Sequence, residues 1–331
     1  MTRENVMKRT IWILLDDRNG SVSQAKGVEN ALDQNLFDIV EKKISYNKLA
    51  GLPNFLRGRT LLGLDKKSRD LFGGKMPDIV LSSSRRTVPV ARYIKKMSQE
   101  KAKLVQLMHP GLAGMEEFSL IFVPEHDKGK KSGENVEYIV GCAHQITEKT
   151  LEAAHEKWEK EFSDLKKPLT AVIVGGAIKN RAFSEENAAN LGLLLKKFHD
   201  KVGGTFLLTT SRRTGEQAQR VLLEKIKDIP CYEYLWGNKG ENPYMGYLSE
   251  ADNIVVTGDS VSMCSEAVGT GKNVYIFEGK DWLTPKHHRF VESLYNKGFA
   301  VSFDGEIKSF AKSGKIFNPA ADIAKKISLI D

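Results

Sequence analysis

The chain has 331 residues, 41% hydrophobic and 28% charged, with a formal net charge of +8. That length suits two domains of a soluble globular protein, and no apolar run is long enough to span a bilayer. Three scattered cysteines and seven histidines without ligand spacing argue against a disulfide framework or a metal site. No metal and no cofactor are therefore expected. The first ten residues are charged and lead into no signal-type apolar region, so the expected setting is cytoplasmic. The basic balance fits an anionic ligand, an anionic membrane surface or nucleic acid. Nucleic acid is set aside, because aromatics make up only 8% and are not interleaved with the basic residues.

Short apolar runs alternate with helical patterns along the chain, the signature of a mostly parallel sheet. Strands are expected at 11–15, 37–43, 79–81, 104–107, 120–123 and 138–140, with helices at 24–32 and 88–96. Leu151, Ala154, Trp158, Phe162 and Leu165 mark one face of a long charged helix, which Lys166-Lys167-Pro168 ends. The domain boundary is expected there, giving domains 1–166 and 167–310. A second α/β series follows: strand 169–174, helix 185–198, strand 206–209, helix 216–227, strands 231–235 and 254–257, helix 261–268 and strand 274–277. A last helix is expected over 319–330.

Ser-Arg-Arg-Thr occurs twice, at Ser84–Thr87 and Ser211–Thr214, each time where a strand hands over to a helix. Ligands of open α/β sheets bind at that edge. Helix N-termini and paired guanidiniums there suit phosphate or carboxylate. Gly175 and Gly176 directly follow a strand, where glycine lets a backbone approach a phosphate or simply makes a tight turn. Thr257–Ala267 is the densest polar stretch: Ser260 and Ser262 can cap a helix or hold a phosphate. Glu266, about one turn in, can accept from ribose hydroxyls. Glu125, His126 and Asp127 at a strand end could supply a general base or form a charged turn. Signatures of dinucleotide dehydrogenases, P-loop NTPases and nucleophile-elbow hydrolases are absent. Residues 49–64 are apolar and basic together. They read as closure of the N-terminal core, or as a peripheral membrane contact in which Arg57 and Arg59 meet lipid phosphates.

Taken together, these motifs, with Glu241-Asn242-Pro243-Tyr244 and Thr270-Gly271-Lys272, resemble the mitochondrial fission Elm (elongated mitochondria) family, whose bacterial members are described as glycosyltransferase-like. The run Asp259-Ser260-Val261-Ser262-Met263 with Ser265-Glu266-Ala267 is its most specific part. The resemblance implies an α/β fold of two Rossmann-like domains facing a cleft (GT-B-like), with the C-terminal helix, 311–331, crossing back to the first domain. It implies a metal-independent glycosyltransferase that moves a sugar from a nucleotide-diphospho-sugar to an envelope-type, lipid-linked acceptor. By that similarity Gly175, Gly176, Ser211, Arg212, Arg213, Thr214, Asn242, Ser260, Ser262, Met263 and Glu266 hold the nucleotide-sugar. Arg85, Arg86 and Gln24 lie on the acceptor side, and Asp127 or His126 is the base. The chain departs from the family pattern at His109, Ala177 and Gly258. Plant members are associated with recruiting a dynamin-related protein, which implies a non-catalytic adaptor as the alternative.

Overall fold

A computed structural model describes residues 7–129, 133–311, 314 and 316–330. The chain divides into two compact units, 1–145 with 319–331 and 146–318.

In the first unit come β1 (Arg9–Leu15), α1 (Asn19–Ala31), β2 (Phe37–Lys43), the single turns α2 (Asn54–Arg57) and α3 (Lys66–Arg69), then β3 (Ile79–Ser82) and α4 (Val88–Met97). β4 (Lys103–Leu107), β5 (Leu120–Pro124) and β6 (Val136–Ile139) follow. All six strands run parallel in the order β2-β1-β3-β4-β5-β6. Strand periodicity splits β1 between two cores. Ile11, Ile13 and Leu15 pack on one side with Ala25 and Val28 of α1. Trp12 and Leu14 pack on the other with Val88, Val90, Ala91 and Ile94 of α4. The first of these cores is completed from far along the chain by α11 (Ala320–Ser328), through Ala320, Ile323, Ala324 and Ile327.

The second unit begins with α5 (Glu148–Phe162), β7 (Leu169–Val174), α6 (Glu185–Val202), β8 (Thr205–Thr210), α7 (Glu216–Ile226) and β9 (Cys231–Tyr234). It continues through α8 (Tyr244–Glu250), β10 (Asn253–Thr257), α9 (Val261–Gly269), β11 (Asn273–Phe277), α10 (Pro285–Asn296) and β12 (Val301–Ser302). Its strands are also all parallel, ordered β12-β11-β10-β7-β8-β9. The order reverses direction between β7 and β10, so the carboxyl ends of those two strands flank a topological switch point.

The division between the units falls before α5, not after it as the sequence suggested. The reason is aromatic packing within the second unit. Phe162 meets Tyr232 edge-on at 5.2 Å between centroids and Tyr247 at 5.8 Å. Gly246 leaves room for the Trp158 ring, since a Cβ there would overlap it. The helices α8 and α10 and the two-residue β12 were not anticipated. α10 carries its own start signal, Pro285 in the first turn.

Candidate functional site

The two Ser-Arg-Arg-Thr copies fold into the same turn. In the first, the Thr87 hydroxyl donates to the Ser84 carbonyl at 2.6 Å, and the Ser84 N–H donates back to that hydroxyl at 3.3 Å. In the second, the Ser211 N–H donates to the Thr214 hydroxyl at 3.0 Å. Both turns set the first arginine outward. Arg85 and Arg212 are exposed, and their guanidinium groups make no hydrogen bond or ion pair among the described residues. The second arginine goes to an aspartate at the end of another strand. Arg86 pairs with Asp17 and Asp16 after β1, its guanidinium 4.2 Å over the Tyr46 ring. Arg213 pairs with Asp259 after β10 at 3.0 Å. Arg86 and Arg213, expected to meet ligands, are thus engaged within the protein.

The glycines serve the same bracing. A Cβ on Gly175 would overlap the Asp259 carboxylate, and one on Gly176 would overlap the Arg213 backbone. Gly176 N–H donates to Asp259 at 2.8 Å, Gly175 N–H donates to Thr257 Oγ1 at 2.7 Å, and Thr257 Oγ1 donates to Asp259 at 2.7 Å. Ser211 Oγ donates to the Gly175 carbonyl at 2.7 Å, and Arg213 Nη1 to the Ala177 carbonyl at 2.9 Å. The space beside Gly175 and Gly176 is therefore filled by protein, and they make a close turn. Burial pushes the Asp259 carboxyl above its ordinary value, against the pull of Arg213, Thr257 and the Gly176 N–H.

On the β10 side of the switch point, Ser260 caps α9, its Oγ accepting from the Met263 N–H at 3.4 Å. Ser262, Met263 and Glu266 are half-buried on the same helix. The Tyr244 hydroxyl donates to Glu266 Oε2 at 2.6 Å, which orients the carboxylate. Asn242 Oδ1 accepts from the Tyr244 N–H at 3.0 Å and so positions Tyr244. The structure thus brings Asn242, Tyr244 and Glu266 into one chain of contacts. Sequence reasoning missed Tyr244, Asp259 and Trp236. Pro243-Tyr244 was visible as a motif, but nothing local linked it to Glu266. Trp236, just past β9, is 61% exposed, its backbone N–H donating to Thr210 Oγ1 at 2.9 Å.

A depression of about 690 Å³ opens between the starts of α6 and α7, lined by Ala177, Phe183, Ser184, Arg213, Gly215 and Arg220 among others. It borders the Ser211–Thr214 turn but includes none of Ser260, Ser262, Met263 or Glu266. Among the described residues no three histidine, cysteine or carboxylate side chains cluster as metal ligands.

In the first unit His126 and Asp127 form a helical turn after β5 and are both buried. Gln24 is buried on α1, 3.9 Å from Met108 Sδ. Arg57 is 2% exposed, donating to Asn54 Oδ1 at 2.6 Å and to the Arg86 carbonyl at 3.3 Å. Arg59 pairs with Glu100 and Glu117. Neither arginine is placed to meet lipid phosphates, which corrects that part of the sequence expectation.

A family model described as "Mitochondrial fission ELM1" matches residues 19–329. The chain is similar to the "Uncharacterized protein RP120" of Rickettsia prowazekii (strain Madrid E), with 31% identity over 350 residues, covering 96% of this chain and 97% of that protein. It is also similar to the "Mitochondrial fission protein ELM1" of Arabidopsis thaliana, with 31% identity over 287 residues, 80% of this chain and 66% of that protein. The chain thus spans just under two thirds of the plant relative. Among solved structures it resembles the UDP-GlcNAc 2-epimerase of Methanocaldococcus jannaschii, with 13% identity, 96% of this chain, 99% of that chain and a TM-score of 0.56. It also resembles the UDP-GlcNAc 2-epimerase of Neisseria meningitidis bound to UDP-GlcNAc, with 12% identity, 96% and 98% coverage and a TM-score of 0.53. At such identity the likeness establishes the fold, and the GT-B-like expectation of two α/β domains holds. No helix among the described residues is long and apolar enough to cross a membrane.

Proposed function

The chain belongs to the mitochondrial fission ELM1 family, and on that premise we propose that the carboxyl edge of its second sheet binds a nucleotide-diphospho-sugar. The observation that carries this reading is the half-buried Glu266 carboxylate, oriented by the Tyr244 hydroxyl at 2.6 Å on a helix whose first turn is capped by Ser260. A carboxylate held this way accepts from ribose hydroxyls. The positive end of α9 suits a diphosphate. Arg212, exposed and uncommitted at the neighbouring turn, supplies the forked cation, and the exposed Trp236 offers a face for stacking a base. The Neisseria structure, bound to UDP-GlcNAc, supports the reading by analogy of fold.

The reaction proposed is metal-independent glycosyl transfer to an envelope-type, lipid-linked acceptor. The acceptor oxygen bonds to the anomeric carbon as the bond to the diphosphate breaks. The proton passes to a base, with His126 and Asp127 as candidates. Arg212 and the α9 dipole stabilise the leaving diphosphate.

The test is thermal unfolding against a panel of nucleoside diphosphates and nucleotide-sugars, on the wild type and Glu266→Ala. A saturable rise in Tm for one nucleotide, lost in the variant, is expected. No rise at millimolar concentration with any nucleotide overturns the reading. One observation favours a second reading, a non-catalytic adaptor for a dynamin-related partner. Gly175, Gly176, Ser211 and Arg213 all serve internal bracing, and the plant relative is named for mitochondrial fission.

A further inference from the structure

We propose that the outer face of residues 48–71, with Leu112, is a docking surface for an anionic lipid bilayer. This goes beyond the nucleotide reading and does not depend on it.

The segment has two unlike sides. Its inner side is anchored: Ala50 is 7%, Leu64 1% and Arg57 2% exposed. The Arg57 guanidinium grips Asn54 and the Arg86 carbonyl, and Gly63 leaves it room, since a Cβ there would stand 2.9 Å from Nη1. The Asn54 amide in turn donates to the Arg85 carbonyl at 2.9 Å and the Pro110 carbonyl at 3.2 Å, tying in the loop that carries Leu112. The outer side is apolar. Phe55 is 69%, Leu56 59% and Leu112 70% exposed, joined by Leu49, Leu52 and Leu62. The anchors hold these side chains out in water, although collapse inward would be favourable if the loop were free. A patch of this kind marks an interaction surface.

Charge names the partner. Residues 48–71 contain Lys48, Arg57, Arg59, Lys66, Lys67 and Arg69 against the carboxylates Asp65 and Asp70. Arg57 is buried and Arg59 is ion-paired. Lys48, Lys66, Lys67 and Arg69 make no ion pair among the described residues. Arg69 donates to the Leu64 carbonyl at 3.0 Å and the Leu62 carbonyl at 3.2 Å, which holds that cation beside the apolar tip. Asp65 is used to cap α3, accepting from the Ser68 N–H at 2.7 Å. Leucine and phenylalanine at the tip with unpaired lysines around it match the layering of acyl chains and anionic headgroups. A protein interface would instead be depleted in lysine.

The test is flotation of the full chain with vesicles of phosphatidylcholine alone and of phosphatidylcholine mixed with phosphatidylglycerol. The wild type should float with the mixed vesicles, less in high salt, and not with the neutral ones. Phe55→Ser with Leu56→Ser should cut binding about tenfold or more, and Lys66→Glu with Lys67→Glu by a similar factor. Leu193→Ser, equally exposed in the second unit, should change nothing. All variants should keep the wild-type Tm, because the altered side chains are exposed. Failure of the wild type to float, or flotation indifferent to both double variants, overturns the proposal. So does a dimer in sedimentation velocity that Phe55→Ser with Leu56→Ser dissolves without any vesicle binding, which would assign the face to a second copy of the chain.

Discussion

The Asp259 carboxylate stands 3.0 Å from the Arg213 guanidinium, joining the end of β10 to the turn after β8 across the end of β7. Gly175 and Gly176, at the end of β7, have protein where their side chains would be. In the first unit Arg86, in the turn after β3, reaches Asp16 and Asp17 at the end of the adjacent β1. The repeated tetrapeptide therefore repeats a brace, and only its first arginine stays available.

Gly175→Ala and Gly176→Ala should each destabilise the second unit by about 1–3 kcal/mol, the usual cost of forcing extra carbon into a packed site. Urea unfolding of the two variants measures this. Wild-type stability in both would show that the brace gives way at no cost.

Arg212→Ala and Arg213→Ala should separate binding from stability. Loss of the exposed Arg212 should leave stability within about 0.5 kcal/mol and weaken nucleotide affinity about tenfold. Loss of Arg213 strands Asp259, whose side chain is fully buried, and should cost about 2–3 kcal/mol; Arg213's own partial exposure keeps the figure below that of a fully buried pair. Calorimetric titration beside chemical unfolding reads both effects. Equal stability losses in the two variants would refute the division of labour.

Lys272 sets a pH dependence. Burial pulls its amine down to about 8, only partly offset by Glu250 and Asp252, and its Nζ donates to the Ser249 carbonyl. The folded chain releases this proton near pH 8, while the unfolded chain holds it to its ordinary value of 10.5. Between those values the unfolded state binds more protons, so this group's contribution to stability rises with pH, by at most about 3 kcal/mol. The stability of Lys272→Met relative to wild type should therefore be greatest below pH 8 and shrink above it. Urea midpoints of both proteins across that window check the sign, and a gap that widens with pH would contradict it.

Ile323→Ala in α11 should destabilise the first unit by about 2–4 kcal/mol, because Ile323 is fully buried against the β1 and α1 core. Hydrogen exchange should show the loss in β1 and β2 rather than in β7 or β8.

Strands were the most legible part of the sequence. Runs such as 169–174 are apolar except for Thr170 because parallel strands are covered on both faces, and that pattern is local. Glu266 and Ser260 stood out because a polar cluster followed a buried strand. The fates of Arg86, Arg213 and Arg57 were not legible. Each depends on partners far along the chain, Asp17, Asp259 and the Arg86 carbonyl, that only strand order brings near. The unit boundary was misplaced for a related reason. Helix α5 is charged and linker-like in sequence, yet Trp158 and Phe162 commit it to α8 and β9.

The position of α11 has a consequence for how the protein is made. The 173 residues of the second unit, 146–318, form one uninterrupted stretch, whereas the first unit waits for its last helix. During synthesis the β1 sheet can assemble early, but one of its faces has only part of its cover, from α1, until the ribosome has passed Ile327. Of the two units, the one begun first is thus completed after the other, and until α11 is made its Ile11, Ile13 and Phe37 lack part of their native cover.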